Sequence, residues 1–460
     1  MNEDTLVFDK VPKKQKIAYA ISIAGTNLLG TIILGAMLKY YTDFILLPQL
    51  LFGIAQLIYS IWNAVNDPIL GYLSDKRIPR EGNAKRKPWL WFSLPFMVAG
   101  YFILIIVNPS WNAGIIFTIL LIGLIAYDTG WAMFMINRNS LMASITNVDS
   151  ERSSLVVYSL VFQTILGVLA YILPFLFLTG DVPIPVIILV FAIVGIGSTI
   201  LGIFGIKGIK EPPGLYVEKE PINIWKASKG LFNLKSYYYY IIYSFLVGAV
   251  GGTQLTFMLF YIEHVAQTTG ILAVLASAIA LPVIFISYLL IQVISKKLGV
   301  RKTLLLFLSI CVVGFIGLLI VSDFWLVLTF YMFIFAGTSA HWVLSFPLAG
   351  DIIDQDELKS GNRKEGMFFG ISAIFLAPST AVLIFLYTVI ITVFGYDASL
   401  PKTPEVILGI RLGTALLPLI FIVASIFLLI YYPLRGAALL ELKEDVKRLY
   451  DKKLERSEEK

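Results

Sequence analysis

The sequence predicts an all-α integral membrane protein of twelve transmembrane helices, arranged as two six-helix bundles with internal repeats. Three observations carry this. The 460 residues are 58% apolar and only 14% charged, with mean hydropathy +0.83, whereas a soluble chain carries roughly a quarter charged residues. The apolar residues form nearly charge-free runs of about 20–28 residues, the length a helix needs to cross a bilayer. The basic residues alternate between the loops in a one-sided way. Together these exclude a cytosolic enzyme, a nucleic-acid binder and a secreted domain. The single cysteine, Cys311, and two distant histidines, His264 and His341, offer neither a disulfide framework nor a zinc signature. A polar N-terminus before a long first run leaves no cleavable signal peptide to expect.

In order, the predicted spans fall near 16–41, 46–74, 88–107, 113–146, 154–179, 183–207, 236–265, 268–295, 303–322, 325–350, 366–394 and 405–434. All but four of the 36 Lys and Arg lie on one side of this ladder. The exceptions are Lys39, Lys402, Arg411 and the intramembrane Arg138. Short basic loops stay in the cytoplasm, so both termini are expected there, in a multi-pass protein of the cell membrane. The domains follow: a bundle over 1–206, a cytoplasmic loop over 207–235, a second bundle over 236–434 and a charged tail over 435–460. Basic turns recur after span two (Lys85-Arg86-Lys87) and span eight (Lys296-Lys297…Arg301-Lys302). That recurrence favours two repeated bundles around a central path, the plan of alternating-access carriers. The plain alternative is twelve helices without repeat, or a membrane enzyme.

Specific motifs refine this. Span one ends Tyr40-Tyr41-Thr42-Asp43 and span two ends Trp62-Asn63-Ala64-Val65-Asn66-Asp67-Pro68. Span ten runs through Gly350-Asp351 into Asn362-Arg363-Lys364-Glu365-Gly366. From about residue 10 to 435 the chain resembles the glycoside–pentoside–hexuronide:cation symporters, the branch of the major facilitator superfamily that includes the melibiose carrier. The resemblance implies an inverted-repeat, twelve-helix carrier coupling a small polar solute, usually a sugar, to Na⁺ or H⁺. It implies a monomer, with no cofactor beyond the co-transported cation, and no nucleic-acid partner. It also makes Arg152, Asp351, Arg363 and Glu365 a cytoplasmic gate of ion pairs, against the simpler reading of ordinary loop charge.

An ionisable group inside the bilayer costs about 2.5–3.5 kcal/mol or more, so each needs a reason. Asp67 sits about 12 Å inside the inner end of span two, on a stripe with Asn63 and Asn66. Pro68 frees the carbonyl of Ala64. These hard oxygens suit a small cation, and the resemblance assigns Asp67 and Asn66 to the cation site. Asn63 replaces a second family carboxylate. The competing role for Asp67 is a structural charge paired with a base. Asp128, near the middle of span four, is either a displaced cation- or substrate-binding acid or a buried acid kept neutral. Arg138 is either a tethered cation paired with Asp67, which would weaken Na⁺ dependence, or the seat of an anionic substrate.

Substrate contacts are expected from Asn27, Asp128, Trp131, Met135, Arg138, Asn139, His341, Trp342 and Ser372. Several depart from the family: Asn27 and Met135 stand where it has carboxylates, Asn139 where it has Trp, Leu160 where it has Arg, and Ala377 where it has Lys. The carrier fold survives these losses but a disaccharide site does not. An amphipathic, lysolipid-like solute, an uncoupled facilitator and a non-transporting sensor stay open. Glu263 and His264 are expected to be interfacial.

Overall fold

The computed structural model describes residues 10–76, 84–146, 149–211, 230–361 and 365–458, which are helical apart from turns and short connections. The first half holds α1 (Lys13–Lys39, extended by a π-helical turn Tyr40–Phe44), α2 (Gln49–Lys76), α3 (Lys87–Ile105), α4 (Ala113–Ile145), α5 (Asp149–Phe177) and α6 (Ile184–Gly208). The second half holds α7 (Lys235–Phe260, extended by a π turn Tyr261–Val265), α8 (Gly270–Leu298), α9 (Val300–Ile320) and α10 (Phe324–Ser360). It continues with α11 (Glu365–Leu376), α12 (Ser379–Val393) and α13 (Pro404–Arg411), which joins α14 (Leu417–Ile430) through a π turn at Leu412–Leu416. A charged α15 (Ala437–Glu458) closes the chain.

Helix occupies each of the twelve expected stretches, and the eleventh is interrupted at Ala377-Pro378. Among the described residues, ten helical stretches are long and apolar enough to cross a membrane. The other two, α2 and α8, have 28 and 29 residues. At 1.5 Å per residue both exceed a ~30 Å hydrocarbon core. In α2 the stripe from Gln56 to Asp67 is what dilutes the apolar character.

By internal contacts the chain divides into two compact units. The first comprises Met1–Lys219, Leu255–Ala278 and Ile384–Ile410; the second comprises Glu220–Gln254, Ile279–Leu383 and Arg411–Lys460. Within the first, small residues let helices approach to backbone contact, the usual device where lipid is as apolar as the interface. A Cβ on Gly205 of α6 would sit 2.5 Å from the Ser22 backbone of α1, and one on Gly100 of α3 would sit 2.3 Å from the Tyr127 nitrogen of α4. In the second unit Gly337 of α10 meets Cys311 of α9 in the same way. Cys311 is therefore a small buried packing residue.

Charged side chains close the helix ends. The Glu211 carboxylate accepts from the backbone amides of Lys85, Arg86 and Lys87 at 2.8–3.0 Å. Those donors lie at the start of α3, where a helix has amides without internal acceptors and favours negative charge. Lys87 Nζ in turn donates to the carbonyls of Lys207 and Ile209 at the end of α6. In the second unit Arg301 donates to the last carbonyls of α14, and Arg411 to Leu318, Leu319 and Val321 at the end of α9. Arg411, one of the four exceptions to the one-sided basic ladder, is thus a C-terminal cap of α9.

α1 and α7 leave their spans by the same backbone route. Each adds a π turn. The amides of Ile45 and Ala266 then donate back to Tyr40 and Tyr261, and those of Leu47 and Thr268 to Tyr41 and Ile262. Between them Leu46 and Gln267 take φ of +60° and +51°, a left-handed region that non-glycine residues seldom enter. Two copies of one irregular exit thus follow the first helix of each half, where the expected internal repeat would put them.

Candidate functional site

In the first unit α2 and α4 bring the expected cation residues together. Asp128 is 4% exposed. One of its carboxylate oxygens accepts from Tyr59 Oη at 3.1 Å, and the other from Asn66 Nδ2. Asn63 Nδ2 donates to the same Tyr59 hydroxyl at 3.3 Å. Asn66 is 1% exposed and its Oδ1 has no hydrogen-bond partner. Asp67, the next residue, is half-buried, and its carboxylate makes no ion pair or hydrogen bond among the described residues. The spacing explains the convergence: Tyr59, Asn63 and Asn66 recur every three to four residues, which puts them on one stripe of α2 facing α4. Two carboxyls, an unpartnered amide oxygen and a phenol thus gather in the interior of two long helices. That set can hold a proton or a small hard cation.

Arg138 departs from one of the two expectations. It does not pair with Asp67; it points to α1 and α5. Its Nη2 donates to the Tyr19 carbonyl at 3.2 Å and to Ser159 Oγ at 2.7 Å. Its guanidinium carbon lies 3.7 Å from the Tyr19 ring centroid. Tyr19 Oη donates back to the Arg138 carbonyl at 3.2 Å. The α2 stripe is already bound to Asp128, and the Tyr19 ring offers the guanidinium a flat surface, so the tethered-cation role is corrected. Ser159 adjoins Leu160, where the resemblance expects an arginine; here a guanidinium reaches that neighbourhood from α4. Asp128, Trp131, Met135 and Arg138 follow one another at spacings of three, four and three, along one face of α4. Trp131 stacks between Tyr127 and Phe134, with centroids 6.5 Å away on each side. Asn27 and Met135 are half-buried and Asn139 is exposed.

The second unit carries the other expected substrate residues. His341 Nδ1 lies 3.3 Å from Tyr243 Oη, and its ring makes edge contacts with Tyr243 and Trp342 at 5.4 Å. Trp342 is 53% exposed. The missing side chain of Gly251 makes room for its indole, since a Cβ there would lie 3.1 Å from Nε1. Ser372 Oγ is 3.4 Å from Tyr237 Oη, and Gln254 donates to Thr338 Oγ1 at 2.7 Å. Of these side chains Trp342 is exposed, whereas His341, Tyr243, Ser372, Tyr237, Gln254 and Thr338 are buried. Of the gate residues, Arg152 Nε donates to Thr146 O at 2.9 Å, closing the end of α4. Asp351 lies on α10 in the second unit. Arg363 and the side chain of Glu365 lie outside the described residues.

One cluster was missed by sequence reasoning. At the end of α1 away from its N-terminus, Lys39 is 0% exposed. It forms ion pairs with Asp43, at 2.6 Å, and with Glu263, and stacks on Phe260 with Nζ 4.8 Å from the centroid. Tyr396 Oη donates to Asp43 at 2.8 Å and meets His264 Nε2 at 3.0 Å, while the Gly180 amide donates to Glu263 at 3.1 Å. Glu263 and His264 belong to a partly buried ion network in the first unit. The i,i+4 spacing of Lys39 and Asp43 was a usable signal. The partners from distant segments were not visible in sequence.

The chain is similar to known transporters along nearly its whole length. A family model described as MFS/sugar transport protein matches residues 18–436. A "Putative sulfoquinovose importer" of Escherichia coli K12 is 24% identical over 461 residues, 97% of this chain and 96% of that one. An isoprimeverose transporter of Lactiplantibacillus pentosus is 22% identical, covering 92% and 89%. Among solved structures, a bacterial homologue of the human lysosomal transporter Spinster shares the fold with TM-score 0.69 at 12% identity, covering 95% of this chain and 99% of the other. The nucleoside transporter NupG shares it with TM-score 0.64 at 15% identity, covering 92% and 98%. The carrier fold expected from the motifs is thus matched from both sequence and structure: the chain belongs to the MFS/sugar transport protein family, multi-pass membrane transporters rather than enzymes.

Proposed function

We propose that the chain is a secondary carrier in the cell membrane, with both termini cytoplasmic. It moves a small polar solute, a sugar or sugar derivative, by alternating access, and couples that movement to H⁺ or Na⁺. The observation that carries this reading is the Asp67–Asn66–Asp128 group. Two carboxyls inside long apolar helices, with no basic partner among the described residues, carry a desolvation cost that a visiting proton or cation offsets. The unpartnered Asn66 Oδ1 marks the same place. Support for the solute class comes from the relatives, whose names specify sulfoquinovose in one case and isoprimeverose in another. The exposed Trp342 indole, with the His341 ring at its edge, suits the C–H surface of a sugar. On this reading α2 and α8 also cross the membrane, completing twelve spans, and Asp351 and Arg363 serve a cytoplasmic gate.

Uptake of labelled sugars and sugar acids into proteoliposomes under imposed H⁺ or Na⁺ gradients tests it. Wild type should concentrate a solute under one gradient. Asp67→Asn and Asp128→Asn should lose concentrative uptake while Asp67→Asn retains solute exchange across the membrane. Accumulation equally independent of both gradients in all three proteins would sink the coupling.

A further inference from the structure

We infer that Arg138 binds the acid group of an anionic solute, a sulfonate, carboxylate or phosphate carried on a sugar-like body. This deepens the carrier reading and rests on it. A guanidinium presents five N–H donors. Only Nη2 is bonded here, to the Tyr19 carbonyl and Ser159 Oγ. Nε has no partner although it is buried, and no hydrogen bond from Nη1 occurs among the described residues. The residue is 5% exposed, and no carboxylate forms an ion pair with it among the described residues. A buried cation normally has a counter-charge, because desolvation costs several kcal/mol per ion. Stacking on Tyr19 offsets part of that. Two neutral acceptors on one nitrogen leave three donors unpaired and the positive charge without a counter-ion among the described residues.

The surroundings agree with a ligand rather than a clasp alone. Tying α1 to α4 and α5 needs one nitrogen, which a lysine or glutamine would supply. A fixed, planar cation with unpaired donors is instead what oxyanion recognition needs. On the helix face leading to it, Asp128 is 4% exposed, while Trp131 and Met135 are half-buried. Trp131 and Met135 offer apolar contact for the body of the solute, and Arg138 takes its charge.

The test uses the full chain in detergent and in proteoliposomes, with D-glucuronate, ethanesulfonate and neutral D-glucose at matched ionic strength. Glucuronate and ethanesulfonate should raise the melting temperature of wild type more than glucose or chloride does. Arg138→Gln should lose that difference, and Arg138→Lys, which keeps charge but not the fork, should bind on the order of tenfold more weakly. An equal anion effect in wild type and Arg138→Gln, or none in wild type, overturns the proposal. If Arg138→Gln fails to fold, Arg138→Lys decides by the same comparison. The two readings fail separately. Gradient-driven uptake of a neutral sugar without anion binding leaves the carrier and removes the anion site. Arg138-dependent binding without flux of any probe does the reverse.

Discussion

Asp128 shows how one side chain depends on its neighbours. Both of its oxygens are spoken for by α2, through Tyr59 and Asn66. Removing one donor from a buried carboxyl costs about 1–3 kcal/mol. Tyr59→Phe should therefore slow gradient-driven uptake, a 1–2 kcal/mol loss corresponding to a factor of about 5–30, with the folded fraction on size-exclusion chromatography unchanged. Uptake at the wild-type rate would show that the hydroxyl does not serve Asp128. The polar stripe of α2 was readable because helical periodicity alone places Asn63, Asn66 and Asp67 near one line. Which way Arg138 points was not, since its depth in α4 matches that of Asp67 equally well whether it turns to α2 or to α1. Rotation about the helix axis, set by the Tyr19 ring and Ser159, decided between them.

At the scale of elements, helix positions followed from runs of apolar residues because each run must satisfy its own backbone in lipid. The charge-poor stretches therefore located the helices of the twelve expected spans, but not the charged α15 or the interruption of the eleventh at Ala377-Pro378. The packing between helices was less legible, since a glycine in an apolar run does not announce which neighbour it admits. Gly205 is a case in point. Gly205→Leu would force side-chain atoms into the Ser22 backbone, with an overpacking cost of about 1–3 kcal/mol. The melting temperature should fall accordingly, whereas the same substitution at Gly197, where a Cβ meets nothing within 4 Å, should leave it nearly unchanged. The π exits of α1 and α7 were invisible in sequence for another reason: they depend on backbone angles that no residue type in Leu46 or Gln267 advertises.

At the scale of the whole molecule, the family rested on the motifs of spans one, two and ten, and the comparisons agree with it. The buried ion network is where sequence reading fell short. Lys39, Asp43, Glu263, His264 and Tyr396 come from three separate stretches, and only folding brings them together. Outside the spans, burial pulls the Lys402 amine below its ordinary value, against the pull of Asp43, and pushes the Tyr396 phenol up. Lys39→Met would leave Asp43 and Glu263 facing each other without their cation, and breaking a buried pair this way costs about 3–5 kcal/mol. Loss of thermal stability that is partly restored in a Lys39→Met, Glu263→Gln double variant is the expected pattern. Equal stability of wild type and Lys39→Met would show the network to be ornamental.

The twin exits have a further consequence. Laid over one another, they place Asp43 and His264 at equivalent positions, yet these two side chains touch, with Nε2 3.7 Å from Oδ2. A half-length ancestor pairing with its own copy would have set identical residues against each other at that point, carboxylate on carboxylate or imidazole on imidazole. Fusion into one chain removes the constraint that self-complementary interfaces obey. Each copy can then mutate alone, and an acid and a base can meet where a homodimer permits only like with like.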